Sequence, residues 1–471
     1  MGKVLRTIPL PVTALILSFL CPTELSLFLG SLRLPPHRIV LLIVVPIALW
    51  KLIGAGNCRF KAFDFFFLAF GAWVLFAFSL HPGETGGIET GGSEALDSVG
   101  GYLVARAYIR TIGHFVAVLQ MMAVAVIVSG LIALPEMITG RHYVHELMQA
   151  ITGQTLPLRG GMRFGLTRAY ASFDHPIHLG TFCSAMFALF WYAAGSWTSR
   201  LTRGGLIVLA TFTAVSSAPI LGLLLQGGMI IWDMLTRAFR GRVMITVSLV
   251  VVGLMTISFM SSRSVFALIA AYMTFNPWTG YYRLLIWEHG MANIAAHPWI
   301  GLGLGEWARP EWMVSDSVDA FWLLIGLRTG LPTIIFLLTA IALLVYSAAK
   351  VARRHPDWLV KRYAKAWFIS LIAFVLVGCT VHLECARLLL LLLPRACGLD
   401  CGSGPGAATG CFRADDAATK TRPATPPARA TRARHAAGHT ATCLNVLAAL
   451  TLVVMPAVFV PVGIIDSFNM R

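Results

Sequence analysis

Residues 112–134, IGHFVAVLQMMAVAVIVSGLIAL, run for twenty-three positions without an aspartate, glutamate, lysine or arginine. About 20 apolar residues are enough for an α-helix to cross the hydrocarbon core of a bilayer, so this stretch predicts a transmembrane helix. Further runs of the same kind lie near 8–29, 37–54, 62–80, 176–196, 204–218, 219–235, 243–260, 319–346 and 364–380, with shorter or later ones at 388–393 and 444–465. Over the whole chain 57% of residues are hydrophobic, 12% are charged, and the mean hydropathy is +0.75. That composition excludes a soluble domain. Backbone groups in lipid must be hydrogen-bonded within the segment or in a closed barrel, and the strict alternation of barrel strands is absent. The expected fold is all-α: a polytopic integral membrane bundle of about 10–12 transmembrane helices with a large extracytoplasmic loop.

The net charge of +16 does not point to nucleic acid, because the basic residues sit in short loops between apolar runs and not on an aromatic-studded polar face. Arg237, Arg240 and Arg242 form one cluster, and Lys350, Arg353, Arg354, Lys361, Arg362 and Lys365 form the densest. The positive-inside rule assigns both to the cytoplasm, and Arg200 and Arg203 likewise. The segments 135–175 and 261–318 then share the outer compartment. Lys3, Arg6, Arg59 and Lys61 also read as cytoplasmic, yet counting spans forward from them puts 135–175 on the wrong side by one crossing. A crossing is therefore missing before Leu134, and 81–114, with its Gly- and Glu-rich start, is the expected place. The N-terminal apolar run lacks a small-residue cleavage site and is read as a retained helix, not a signal peptide.

Residues 1–394 are taken as one membrane domain. From 395 to 442 Ala, Arg, Thr, Pro and Gly dominate, a low-complexity basic composition that buries little; its abrupt onset reads as a frameshift. Ordinary apolar sequence returns over 443–471. Cys397, Cys401 and Cys411 do not have the spacing of a paired zinc site, and neither metal nor cofactor is expected.

Two polar stretches at membrane boundaries carry the candidate chemistry. In 159–180, RGGMRFGLTRAYASFDHPIHLG, the arginines Arg159, Arg163 and Arg168 offer planar forks suited to phosphate oxygens. Their structural alternative is to snorkel toward lipid headgroups. His175 and His178 flank Pro176, and Asp174 is expected to cap the helix that Pro176 opens. In 281–305, Arg283 begins an amphipathic segment, and His297 precedes Gly301-Leu302-Gly303-Leu304-Gly305. That glycine run either offers amide donors to a ligand or makes a turn. His297 either moves a proton or caps and packs. Asp316 and Asp319 stand before a helix expected near Ala320, where acids favour the N-terminus, or bind sugar hydroxyls. Trp299, Trp307, Trp312 and Trp322 suit both sugar stacking and membrane anchoring.

RAYASFDHPIHLG (168–180), RLLIWEHGMANIAAHPWIGLGLGEW (283–307) and SDSVDAFWLLIGLRTGLP (315–332) together resemble the O-antigen ligase and polymerase superfamily, most closely its exopolysaccharide-polymerase branch. The resemblance implies a glycosyltransferase of the bacterial inner membrane that uses a polyprenyl-diphosphate-linked glycan as donor and a growing polysaccharide as acceptor. It also implies a chain-length regulator and export proteins as partners. Carried over, Arg168 and Arg283 would bind the diphosphate and His297 would orient or deprotonate the acceptor hydroxyl, with Arg163, His175, His178, Asp316 and Asp319 around the substrate. Two departures stand out. The turn arginine that many relatives carry after a serine is replaced by Ser216-Ser217-Ala218-Pro219, and a frequent His-Asn pair by Ser315-Asp316-Ser317-Val318-Asp319. A transporter or flippase of lipid-linked oligosaccharide, or a non-catalytic member of an export complex, is the competing reading. A transporter would favour broken helices and ionisable groups at mid-membrane depth.

Overall fold

The computed structural model describes residues 8–54, 60–81, 86–158, 161–239, 277–313 and 315–381, with a few positions between 245 and 256. Arg159, most of the 243–260 run, part of the 261–318 loop, and everything expected beyond 381 lie outside the described residues. The described chain is mostly helical, with two short hairpins, Leu27–Leu29 with Leu32–Leu34 and Met162–Arg163 with Leu166–Thr167.

Five described helices are long and apolar enough to cross a membrane: α2 (Pro36–Gly54), α3 (Ala62–Ser79), α6 (Ile112–Thr139), α11 (Ser217–Leu235) and α14 (Leu331–Arg354). The numbering also counts α1 (Leu10–Phe19), α4 (Gly87–Ala95), α5 (Gly101–Tyr108), α7 (Tyr143–Thr152), α8 (Pro176–Ala185), α9 (Phe187–Ala193), α10 (Trp197–Phe212), α12 (Pro277–Ala296), α13 (Phe321–Thr329) and α15 (Trp358–Val377). Their outward side chains are apolar as well: Ile43, Ile53, Phe65, Leu131, Ile231 and Ile335 are all exposed. A surface of that kind is suited to lipid and not to water.

Gly87–Tyr108, within the stretch where the missing crossing is expected, forms one helical segment packed against α3. Helix α4, a π-helical stretch over Leu96–Gly100 and α5 follow one another with helical dihedrals at both junctions. Gly91 abuts Phe78 near the end of α3, Gly71 in its middle meets Val99, and Tyr102 and Arg106 bond to Asp64 in its first turn. The segment, about 33 Å long at 1.5 Å per residue, thus runs antiparallel to α3. Its glycines, and the charges of Glu89, Glu94, Asp97 and Arg106, hide it from a hydropathy count. The two buried charges are paired: Asp97 accepts from Arg38 Nε at 2.9 Å, and Arg106 Nη2 lies 2.6 Å from Asp64.

Other expected spans are corrected. The 8–29 run is a ten-residue helix followed by a 3-10 turn and a hairpin, because Pro22 and the polar Thr23-Glu24 end it. The 319–346 run is two helices, since Gly330 sits at φ 81, where only glycine is comfortable, and turns the chain between α13 and α14. The 176–196 run is broken at Met186. There Gln226 of α11 accepts from Ala188 N at 3.0 Å and donates to Ser184 O at 2.7 Å, while Ser370 donates to Ala185 O at 2.8 Å. The freed backbone groups find partners on neighbouring helices, as a break among apolar surroundings requires.

These contacts define two ends. The basic end holds Lys51, Lys61, Arg110, Arg200, Arg353 and Arg362, joined by contacts such as Arg362 Nη2 to Ala194 O and the Phe115–Tyr363 ring pair. At the far end lie Glu24 with His145, His81 with Gly301, Glu136 with Tyr170, and Trp287 with Cys379. Helices α12 and α13 and the loop between them gather at this far end.

Candidate functional site at the far end of the bundle

The last turn of α6 carries Glu136, whose buried carboxylate accepts from Tyr170 N at 3.0 Å and Ala171 N at 2.9 Å. This cradle holds the chain as it turns through Ala171, which has φ 50. On the other side Ala169 N donates to Thr213 O at 3.0 Å, and Arg168 Nε to Ala214 O at 3.3 Å. The residues between α10 and α11 form a tight turn, with Val215 at φ 41, and Arg163 Nη1 reaches Val215 O at 3.4 Å. The 163–171 stretch is thereby clamped between the end of α6 and the α10–α11 turn.

This arrangement brings Arg163, Arg168, Arg283 and Asp319 into one electrostatic neighbourhood. Arg168 is 6% exposed. Burial first, and then the Arg163 charge, pull its pKa down to about 10, with Arg283 adding to the fall and Asp319 opposing it. Burial also lowers Arg283, with Asp319 raising it and Arg163 lowering it further, and burial lowers Arg163. One nitrogen of Arg168 (Nη2) and one of Arg283 (Nε) are buried and have no hydrogen-bond partner among the described residues. Unspent donors on buried cations are costly, and they invite an anion with several acceptor oxygens.

The remaining candidates are distributed differently. His175 caps α8 with its own side chain, Nδ1 accepting from Ile177 N at 3.1 Å. The expected cap, Asp174, instead accepts from Thr23 Oγ1 at 2.8 Å. Pro176 does open the helix. His178 lies beside His175, ring centroids 5.8 Å apart. His297 is exposed just beyond the end of α12. Fourteen residues separate it from Arg283, about 21 Å along a helix, so the fold does not bring it to the arginines.

The glycine run forms a turn whose amides are used by the chain: Leu302 N donates to Leu327 O at 2.7 Å and Gly303 N to Arg328 O at 3.1 Å. Asp316 is exposed, and neither it nor Asp319 caps α13; Phe321 N donates instead to Gly378 O at 3.0 Å and Val381 O at 3.2 Å. Trp307 and Trp322 are buried, their indole nitrogens donating to Asp316 O and Val375 O, whereas Trp299 and Trp312 are exposed.

Sequence reasoning missed Glu136, His142, His145 and Glu24. Glu136 closes an apolar run and looks like the first loop residue, yet it is fully buried. His142 Nδ1 stands 3.7 Å from it, and His145 Nδ1 is 2.5 Å from Glu24. Both rings meet the Tyr170 ring edge-on. Among the described residues no three His, Cys, Asp or Glu side chains group as a metal site would. Set beside known proteins, the chain matches no family model and no curated sequence.

Proposed function

We propose that this chain is a membrane glycosyltransferase that takes a glycan from a polyprenyl diphosphate and joins it to a hydroxyl of a second glycan at the far end of the bundle. The observation that carries the reading is the convergence of Arg163, Arg168 and Arg283, two of them with buried, unspent donors, beside the α10–α11 turn. A diphosphate supplies the charge and the acceptor oxygens such a cluster lacks, and its polyprenyl tail can remain in the lipid around the helices. Arg163 and Arg168 donate to Val215 O and Ala214 O, beside Ser216-Ser217 where relatives carry an arginine, so they complete the cation set from the neighbouring stretch.

In the reaction, a C–O bond forms between the acceptor oxygen and the anomeric carbon as the bond from that carbon to the diphosphate oxygen breaks. The arginines stabilise the charge left on the diphosphate, an effect for which removing one donor typically costs about 10²–10³ in rate. The acceptor's proton goes to a carboxylate. We assign this role to Asp319, whose charge acts on both Arg168 and Arg283, and not to His297, which lies about 21 Å along α12 from Arg283. The basic end then faces the cytoplasm by the positive-inside rule, and the site faces the opposite compartment. The interrupted α8–α9 crossing favours a transporter instead, although its backbone groups at Met186 are bonded to Gln226 and Ser370.

The test is polysaccharide chain length in cells lacking the protein and complemented with wild type, Arg168→Gln, Arg283→Gln or Asp319→Asn at equal membrane levels. Long polymer from wild type alone, with single lipid-linked repeats in the variants on the outer face, supports the proposal. Repeats trapped on the cytoplasmic face in every variant overturn it in favour of transport.

A further inference from the structure

At the basic end four arginines come from three parts of the chain, and Arg362 Nη2, by donating to Ala194 O just before α10 begins, is held beside the first turn of that helix. Arg200 and Arg203 lie in the first two turns of α10, Arg237 follows α11, and Arg362 lies in the first turns of α15. The charges of Arg200 and Arg237 both act on Tyr192, those of Arg203 and Arg362 on Tyr363, and that of Arg200 on Arg362. Two described carboxylates at this end are engaged: both oxygens of Asp233 lie 3.0 Å from Lys365 Nζ and one accepts from Tyr192 OH at 3.0 Å, while Asp357 caps α15 by accepting from Leu359 N at 2.8 Å. Arg200 Nε is buried with no acceptor among the described residues.

The surroundings are those of a lipid interface. Arg200 stacks over Trp197 at 5.2 Å and Arg362 over Trp358 at 5.6 Å, and both indoles are largely exposed. Leu201 beside the cations and Leu206, Val208 and Leu209 further along α10 are exposed apolar side chains. Tryptophan prefers the headgroup level and aliphatic side chains the acyl region. Arginine forks match phosphate oxygens, and basic pockets between helices at this face of a bilayer suit anionic headgroups.

We infer that the cleft between the first turns of α10 and α15 binds the phosphate of an anionic phospholipid, its acyl chains lying along the apolar face of α10. The site is separate from the far-end arginines and independent of any glycan chemistry. A free phosphate would use the cations but not the apolar side chains.

Native mass spectrometry of the purified full chain, titrated in detergent with dioleoylphosphatidylglycerol or dioleoylphosphatidylcholine, tests it. The expected result is tighter first binding of the glycerol lipid, reduced about five-fold for each arginine removed in Arg200→Gln and Arg200→Gln/Arg203→Gln. Neither side chain is the donor of a hydrogen bond that ties these helices together, and helix content by circular dichroism checks the fold. Lys350→Gln/Arg353→Gln, which removes two exposed charges elsewhere on the same end, should leave the preference intact. Equal binding of both lipids by wild type, an equal loss in the Lys350/Arg353 variant, or full displacement by millimolar inorganic phosphate would each overturn the proposal.

Discussion

Replacing Asp64 by alanine should unfasten the helical segment Gly87–Tyr108 from α3. Asp64 is 1% exposed and Arg106 is 2% exposed. The carboxylate accepts from Arg106 Nε at 2.9 Å and Nη2 at 2.6 Å, from Lys61 N at 2.8 Å, and from the Tyr102 hydroxyl. Asp64→Ala leaves a buried guanidinium without its counter-charge and a phenol and an amide without an acceptor. Breaking a buried pair from one side costs about 3–5 kcal/mol, a large share of the roughly 5–15 kcal/mol that holds a typical domain folded. Asp64→Asn keeps one acceptor oxygen and should lose less, about 1.5–3 kcal/mol, the worth of a hydrogen bond to a charged group. Asp64→Leu/Arg106→Met removes both charges together and should recover much of the loss, since an apolar pair of similar volume is often neutral or better than a buried ion pair. Equilibrium unfolding by dodecyl sulfate in mixed micelles, followed by circular dichroism, measures all three. A loss under about 1 kcal/mol for Asp64→Ala, or a double variant as unstable as the sum of its singles, would refute the reasoning.

Three further outcomes are expected. Gly330→Ala should cost about 2 kcal/mol or more in the same unfolding assay, because φ 81 and ψ 177 suit glycine and a Cβ there would strike the backbone of Trp299 and Pro298; an unchanged midpoint would contradict the turn. Gln226→Leu should destabilise by about 1–3 kcal/mol by stripping the partners from Ala188 N and Ser184 O at the α8–α9 break, and faster hydrogen exchange at Ala188 would localise the effect. Arg168, with a pKa drawn down from the ordinary arginine value to about 10, binds fewer protons folded than unfolded above that point, so its contribution to stability rises with pH there and its cost is fully present below it. Arg168→Gln should accordingly be no less stable than wild type at pH 7 while losing donor binding; a variant that unfolds more easily would assign the arginine to the fold and not to a ligand.

The candidate site was partly legible in the chain. Arg163, Arg168, Arg283 and Asp319 stood out because permanent charges beside apolar runs are expensive unless used. Glu136 did not, because a single acid closing an apolar run looks like a loop residue until two amides, those of Tyr170 and Ala171, are seen to point at it. His297 stood out equally, yet the length of α12 carries it away from Arg283, a distance that residue type alone does not reveal. The helical segment Gly87–Tyr108 was not legible from hydropathy, since glycines and charges interrupt it; Asp97 and Arg106 are tolerable there because Arg38, His37 and Asp64 wait for them on other helices.

What the sequence determined by itself is the solvent and the class of structure: a chain this apolar must bury its backbone polar groups in helices, and local hydrogen bonding within each helix depends on no distant partner. What only the tertiary structure decided is how polar residues far apart in the chain meet. The ends of α6 and α10, the break between α8 and α9, and the pairing of α3 with Gly87–Tyr108 all rest on side chains satisfying backbone or charge contributed from elsewhere. Such partners are chosen by the packing of whole helices against one another, and no short window of sequence contains both halves of the bond.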